Sequence, residues 1–220
     1  LTLGAWLRRD RYGEAFVSDH LLPMAAAIWS CPVGTFEQFP IRFIVEFYRN
    51  HGILAIRELP EWRVVCGGSH QYVKAITADF RESIRLQTPI RAVRRLAEGV
   101  EVTPVNAAPE EFDHVIFACH SDQALRILGS DVHPVERELL SAFPYEPNIA
   151  QLHTDTSVLP RSERAWACWN YFMPRGENRK ATITYNMNQL QSLDSQHTFC
   201  VTLNGEERVD PSRAIRRIEY

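Results

Sequence analysis

The chain has 220 residues, of which 45% are hydrophobic and 23% charged, with a formal net charge of -3. That is ample material for the core of one large domain or two small ones. It excludes the basic field that nucleic-acid binding needs, and no apolar run approaches the roughly 18 residues of a membrane helix. Leu1–Asp10 is not a signal peptide. It carries no initiating Met, so the chain reads as a fragment or a processed piece. The five cysteines, Cys31, Cys66, Cys119, Cys168 and Cys200, are odd in number, widely spaced and free of any C-x-x-C. That argues against a disulfide framework and a zinc ribbon, and makes a reducing cytoplasm the expected compartment.

Residues 1–65 read as helical. Leu3, Trp6 and Leu7 form a short apolar stripe. Tyr12 to Ser30 carries Phe16, Val17, Leu21, Leu22, Met24, Ile28 and Trp29, with Pro23 as a kink or the start of a second helix. Cys31-Pro32-Val33-Gly34 reads as a turn. Pro40 opens a helix over 41–51, with Ile41, Ile44, Val45 and Tyr48 on one face and Gly52 as its stop. Such aromatic stripes are core by default.

Residues 66–128 change character. Gly67-Gly68-Ser69 precedes a helix with Ser69 as candidate cap and Val73, Ile76 and Phe80 inward. Ile84, Leu86, Thr88 and Ile90 alternate as a strand. Val93 to Val102 predicts a hairpin turned at Ala97-Glu98-Gly99. Val115 to Cys119 is apolar at five consecutive positions, the pattern of a strand buried on both faces. Ser121 stands as N-cap of a helix that Gly129 can end. A buried strand running into a helix start is where α/β proteins place ligands.

Pro134 opens a short helix with Val135, Leu139 and Leu140. Residues 145–204 are strand-rich, with segments at 151–159, 165–173, 181–187 and 199–203 that predict an antiparallel sheet. In the second of these, Trp166, Cys168, Asn170 and Phe172 face one way, and Ala167, Trp169, Tyr171 and Met173 the other. Two tryptophans on opposite faces imply a second layer or a pocket on one side. Asp210 to Tyr220 is basic and looks cut off in mid-element.

The chemistry-bearing residues make no compact motif. His114 and His120 share strand parity, but no histidine has metal-site spacing, so no metal is expected. Cys119 and His120 are adjacent on a strand and point to opposite faces, which keeps them from acting as nucleophile and base. The sequence contains no G-x-S-x-G, no Walker A and no G-x-G-x-x-G.

A family likeness then emerges from several runs taken in order. They are His20–Trp29, Gly67–Val73, the hairpin ending Gly99-Val100-Glu101-Val102, and Asp113–His120. Leu152–Ser157, Ala165–Tyr171 and Tyr185–Gln191 continue it. Together they resemble the flavin-containing amine oxidases, in particular a bacterial branch of predicted NAD/FAD-binding proteins. The resemblance implies an α+β fold: a substrate domain of helices on an antiparallel sheet, plus the central part of a Rossmann-like FAD-binding domain. It divides the chain into 1–65 and 129–204 (substrate domain), 66–128 (central FAD-binding part) and 205–220 (the start of a return to that part). Members hold the FAD pyrophosphate on an N-terminal G-x-G-x-x-G unit, and a C-terminal glycine-rich segment closes on the flavin. Neither is in this sequence, which therefore looks like the middle of a longer protein.

By the same likeness, Arg91, Ala92 and Val93 would face the adenine end of FAD, and Ala118, Cys119 and His120 would pass beside the cofactor. Cys119 stands where the family often has Thr. Trp169, Tyr171 and Tyr185 are the expected substrate-pocket residues. No catalytic residue is assigned. The implied function is the substrate-binding and partial cofactor-binding portion of an FAD-dependent oxidoreductase acting on a C–N or C–C bond, with FAD expected in the full-length protein and absent from this chain alone. The occasional association of relatives with cyclopropane fatty acid synthases points to a small or lipid-like substrate. The alternative is a non-catalytic module that grips an apolar partner in an aromatic-lined groove. An uncovered Val115–Cys119 strand would also leave apolar surface for a homodimer.

Overall fold

Thr2 starts the first helix by accepting the Ala5 N–H on its hydroxyl at 3.3 Å. In the computed structural model, which describes residues 1–29, 33–55, 61, 63–174 and 182–220, that helix, α1, spans Leu3–Asp10. The described residues divide into two units, Leu1–Val73 with Pro147–Tyr220, and Lys74–Glu146.

In the first unit α1 is followed by α2 (Glu14–Phe16), a π-helical turn (Val17–Leu21) and α3 (Leu22–Trp29). α4 (Val33–Phe36) and α5 (Ile41–Asn50) complete its helices before residue 56. Leu3 and Leu7 of α1, Leu21, Leu22, Ala25, Phe36, and Ile44 and Tyr48 of α5 form one buried cluster. Full burial of each large apolar side chain contributes about 1.5–3 kcal/mol. Trp29 stacks on Phe36 at 5.1 Å and meets Phe47 at 4.6 Å. The expected 41–51 helix is present, but Val45 is exposed, because the helix turns Ile44 and Tyr48, flanked by Ile41 and Phe47, to the core. Val33 and Gly34, expected in a turn, are helical, and the rest of that turn lies outside the described residues.

The same unit contains a five-stranded antiparallel sheet. Its strands are β4 (Ile149–His153), β5 (Trp169–Phe172), β6 (Thr182–Asn186), β7 (Cys200–Leu203) and β8 (Ala214–Glu219), in the spatial order β5-β6-β7-β4-β8. A short α9 (Met187–Gln191) follows β6. The α+β class and the antiparallel sheet are as the sequence predicts. The strands are shorter than the alternating runs, since β4 stops at His153 and Asp155 caps a 3₁₀ turn over Thr156–Val158.

In the second unit β1 (Ile90–Arg95), β2 (Val100–Pro104) and β3 (Glu110–Phe112) pair antiparallel in chain order. The β1–β2 hairpin turns at Gly99, whose φ is +83°, and a Cβ there would lie 2.5 Å from the Phe112 carbonyl oxygen. Only glycine fits. α6 (His70–Ile76) straddles the boundary between the units. α7 (Ser121–Leu128) and α8 (Pro134–Ser141) complete the second unit, with α7 packed on β1 through Val93, Ala124 and Leu128. Arg95 joins β1 to α8 through ion pairing with Glu136 at 2.6 Å, while its backbone N–H donates to Asp131 at 2.6 Å.

Three expectations are overturned here. Val115–Cys119 is neither buried nor a sheet strand: Ile116 is 91% exposed, and among the described residues no strand pairs with it. An apolar run becomes a buried strand only where neighbouring strands and covering helices exist, and these residues have none. Val73, Ile76 and Phe80 are exposed rather than inward. Ile84, Leu86 and Thr88 precede the strand instead of forming it, because a 3₁₀ helix runs to Ser83 and β1 begins at Ile90.

Candidate functional site

Strand pairing sorts the five-stranded sheet into two unlike faces. Asn170, Thr184, Thr202 and Gln151 stand in one row across β5, β6, β7 and β4, and all are buried. Buried polar groups must be paired, and Asn170, Thr184 and Thr202 are. The Asn170 amide donates to the Ala167 and Thr184 carbonyls at 2.6 and 3.3 Å and accepts the Ala167 N–H at 3.0 Å. Thr184 and Thr202 hydroxyls lie 2.9 Å apart, and His153 Nε2 meets Thr202 Oγ1 at 2.8 Å. The Arg208 guanidinium donates to Thr182 Oγ1 at 2.7 Å and sits 3.7 Å over the Phe172 ring.

The opposite face carries the aromatic residues, in the parity read from the sequence. Trp169 pairs across strands with Tyr185, ring edge to face at 5.6 Å. Tyr171 lies two residues on, opposite Ile183. Trp169 and Tyr171 are 52% and 45% exposed, unusual values for large rings on a sheet whose other face is covered. Tyr185 is half-buried, and burial raises its phenol above the ordinary tyrosine range. The three expected pocket residues therefore form one platform.

Tyr171 also reaches the helices. Its hydroxyl donates to the Asp19 carbonyl at 2.8 Å. Four residues beyond Asp19 stands Pro23, which has no N–H to return to that carbonyl. The chain answers with the π turn over Val17–Leu21, in which Leu22 N–H bonds Val17 O. Isolated π turns of this kind recur at functional sites. On the outer side of the same segment the Tyr12, Phe16 and His20 rings meet at one-turn spacing, tilted, with centroids 5.5 and 5.8 Å apart. Sequence reading placed Phe16 in a core stripe, but it is exposed. The signals that could have found it are the i, i+4 aromatic spacing and the proline four residues after Asp19.

The residues expected beside a cofactor lie in the second unit. Arg91 is exposed, Ala92 half-buried and Val93 buried within β1. Ala118, Cys119 and His120 are exposed on the extended run into α7. Among the described residues no hydrogen bond, ion pair or ring contact joins these two groups. A cleft of about 600 Å³ opens at the start of β1, lined in part by Arg85, Ile90, Val102 and Phe112. Arg85 and Glu110 hold a two-pronged ion pair on its rim. His120, not Ser121, is the N-cap of α7, and it gives no side-chain cap. Instead the Tyr145 hydroxyl accepts the Ser121 N–H at 3.0 Å, and its ring stacks on His120 at 4.3 Å. The donor that a phosphate would use is thus occupied by a phenol. Among the described residues no three His, Cys, Asp or Glu side chains come together as metal ligands, and no helix is long and apolar enough to cross a membrane.

An α+β protein with an exposed aromatic platform on an antiparallel sheet is the class that fold and site define. The family of flavin containing amine oxidoreductases matches residues 8–181, most of the chain, and the protein belongs to that family. No curated protein matches it. The family implies a flavin in its full-length proteins. The residues described here do not by themselves make a pyrophosphate cradle. The glycine-rich turn is not in the sequence, and the α7 N-terminus is capped by Tyr145.

Proposed function

We propose that this chain is the substrate-binding and partial cofactor-binding portion of a flavin-dependent oxidoreductase, with Trp169, Tyr171 and Tyr185 as the surface on which the substrate lies. The observation that carries the reading is the platform itself: large, rigid, exposed rings on one face of a sheet whose other face is closed by a satisfied polar network. Mostly apolar walls with few polar groups are the ordinary make-up of a small-molecule pocket. The protein's part is to hold a small or lipid-like molecule by its apolar surface and to exclude water from it. The flavin supplies the redox chemistry when bound.

Residues 66–128 are assigned to the cofactor half, with Arg91, Ala92 and Val93 toward the adenine end and Ala118, Cys119 and His120 beside the cofactor. This chain alone is expected to retain no stoichiometric FAD, because no G-x-G-x-x-G turn stands in these residues to hold the pyrophosphate, and the flavin absorbance of the purified chain checks it. Trp169→Ala in the full-length flavoprotein should lower turnover by an order of magnitude or more while leaving the circular-dichroism melt in place. Loss of folded protein instead would make Trp169 a core residue and end the pocket reading. A non-catalytic module that grips an apolar partner in an aromatic-lined groove is the second reading, supported by the same exposed rings of Trp169 and Tyr171. A full-length protein without flavin absorbance would establish it.

A further inference from the structure

The Trp169–Tyr171 platform has one unexplained neighbour. Asp19, whose carbonyl takes the Tyr171 hydroxyl, is joined by a single peptide bond to His20. His20 is exposed, meets exposed Phe16 with the rings tilted by 35°, and among the described residues makes no side-chain hydrogen bond. The π turn that contains Asp19 is also the turn that carries His20. Phe16 is 42% exposed, so this wall is apolar at one end and carries imidazole nitrogens at the other.

We propose that Phe16 and His20 are specificity-determining residues of the aromatic site, forming its helical wall. This rests on the reading of Trp169 and Tyr171 as the ligand platform. Phe16 adds apolar contact. His20 supplies the hydrogen-bonding group, for among the described residues its nitrogens make no hydrogen bond, and its ring lies against that of Phe16 at 5.8 Å. The ligand class is therefore an apolar molecule bearing one neutral hydrogen-bonding head group such as a hydroxyl. An acid head group is disfavoured, since Glu14 and Asp19 lie on the same short segment.

Toluene and benzyl alcohol test this, because they share an apolar body and differ by one hydroxyl. Each is titrated into the intact chain, reading tryptophan fluorescence with Trp169→Phe to assign the signal, and the His20 ring resonances by NMR. Benzyl alcohol should move the His20 resonances, and His20→Ala should weaken it about tenfold while leaving toluene unchanged. His20→Gln, which keeps a hydrogen-bonding side chain, should restore most of that loss. Phe16→Ala should weaken both probes. If both probes perturb Trp169 while His20 stays unmoved and His20→Ala binds as wild type, the helical wall is wrong and the platform stands. If neither probe perturbs Trp169, the platform reading itself fails and this inference falls with it.

Discussion

His153 is fully buried, and its surroundings fix both its tautomer and its charge. Nδ1 faces the Asp155 N–H at 3.1 Å and must accept, so Nε2 carries the proton and donates to Thr202. Burial pulls the imidazole below its ordinary range, although the Asp155 carboxylate works the other way. The folded chain thus binds fewer protons than the unfolded one between the folded value and about 6.5. Stability should be complete above that window and fall as pH drops through it. Urea melts at pH 7.5 and 5.5 check the sign, and His153→Gln should flatten the difference. Tyr48 offers the converse case. Its hydroxyl is buried and among the described residues has no partner. Tyr48→Phe should therefore leave stability unchanged or raise it by about 1 kcal/mol, read as a melting temperature.

At the scale of elements, the α2–π–α3 segment depends on one missing donor. Pro23 cannot bond Asp19, and Tyr171 takes the carbonyl instead. In Pro23→Ala a new amide competes for that oxygen. Hydrogen exchange should show the amide at 23 protected, and Tyr171 should lose its tie to the helix. Tyr171→Phe, which removes the donor from the sheet side, should cost at most about 1 kcal/mol, because the contact is exposed. A larger loss would mean that Tyr171 is structural rather than part of an accessible surface.

At the scale of the whole chain, the largest departure from a finished surface is the run from Asp113 to Cys119. Its backbone groups make no hydrogen bond among the described residues, and it exposes Ile116 almost completely. Unpaired extended backbone beside apolar side chains is a template for another strand. We propose that the chain self-associates through it. Light scattering should show mass rising with concentration, and Ile116→Lys should return the protein to a monomer. A strict monomer at high concentration, with protected amides over 113–119, would rule this out.

Local chemistry was enough to read much of the molecule from the sequence. Strand alternation put Trp169 and Tyr171 on one face and Asn170 on the other, because a pleated chain has no other choice. Gly99 marked the hairpin, and Pro40 with the 44/48 spacing marked α5, since turns and helices are decided within a few residues. What needed tertiary structure were matters of partnership. Val115–Cys119 has the composition of a buried strand, yet burial is conferred by neighbours, and here none adjoin it. Phe16 reads from the sequence as part of a core stripe, yet it lies outside, because Leu21, Leu22 and Ala25 with α1 and α5 close the core without it. The junction of Asp19 with Tyr171 spans 152 positions of sequence, and only the folded chain brings that carbonyl to a hydroxyl on a distant strand.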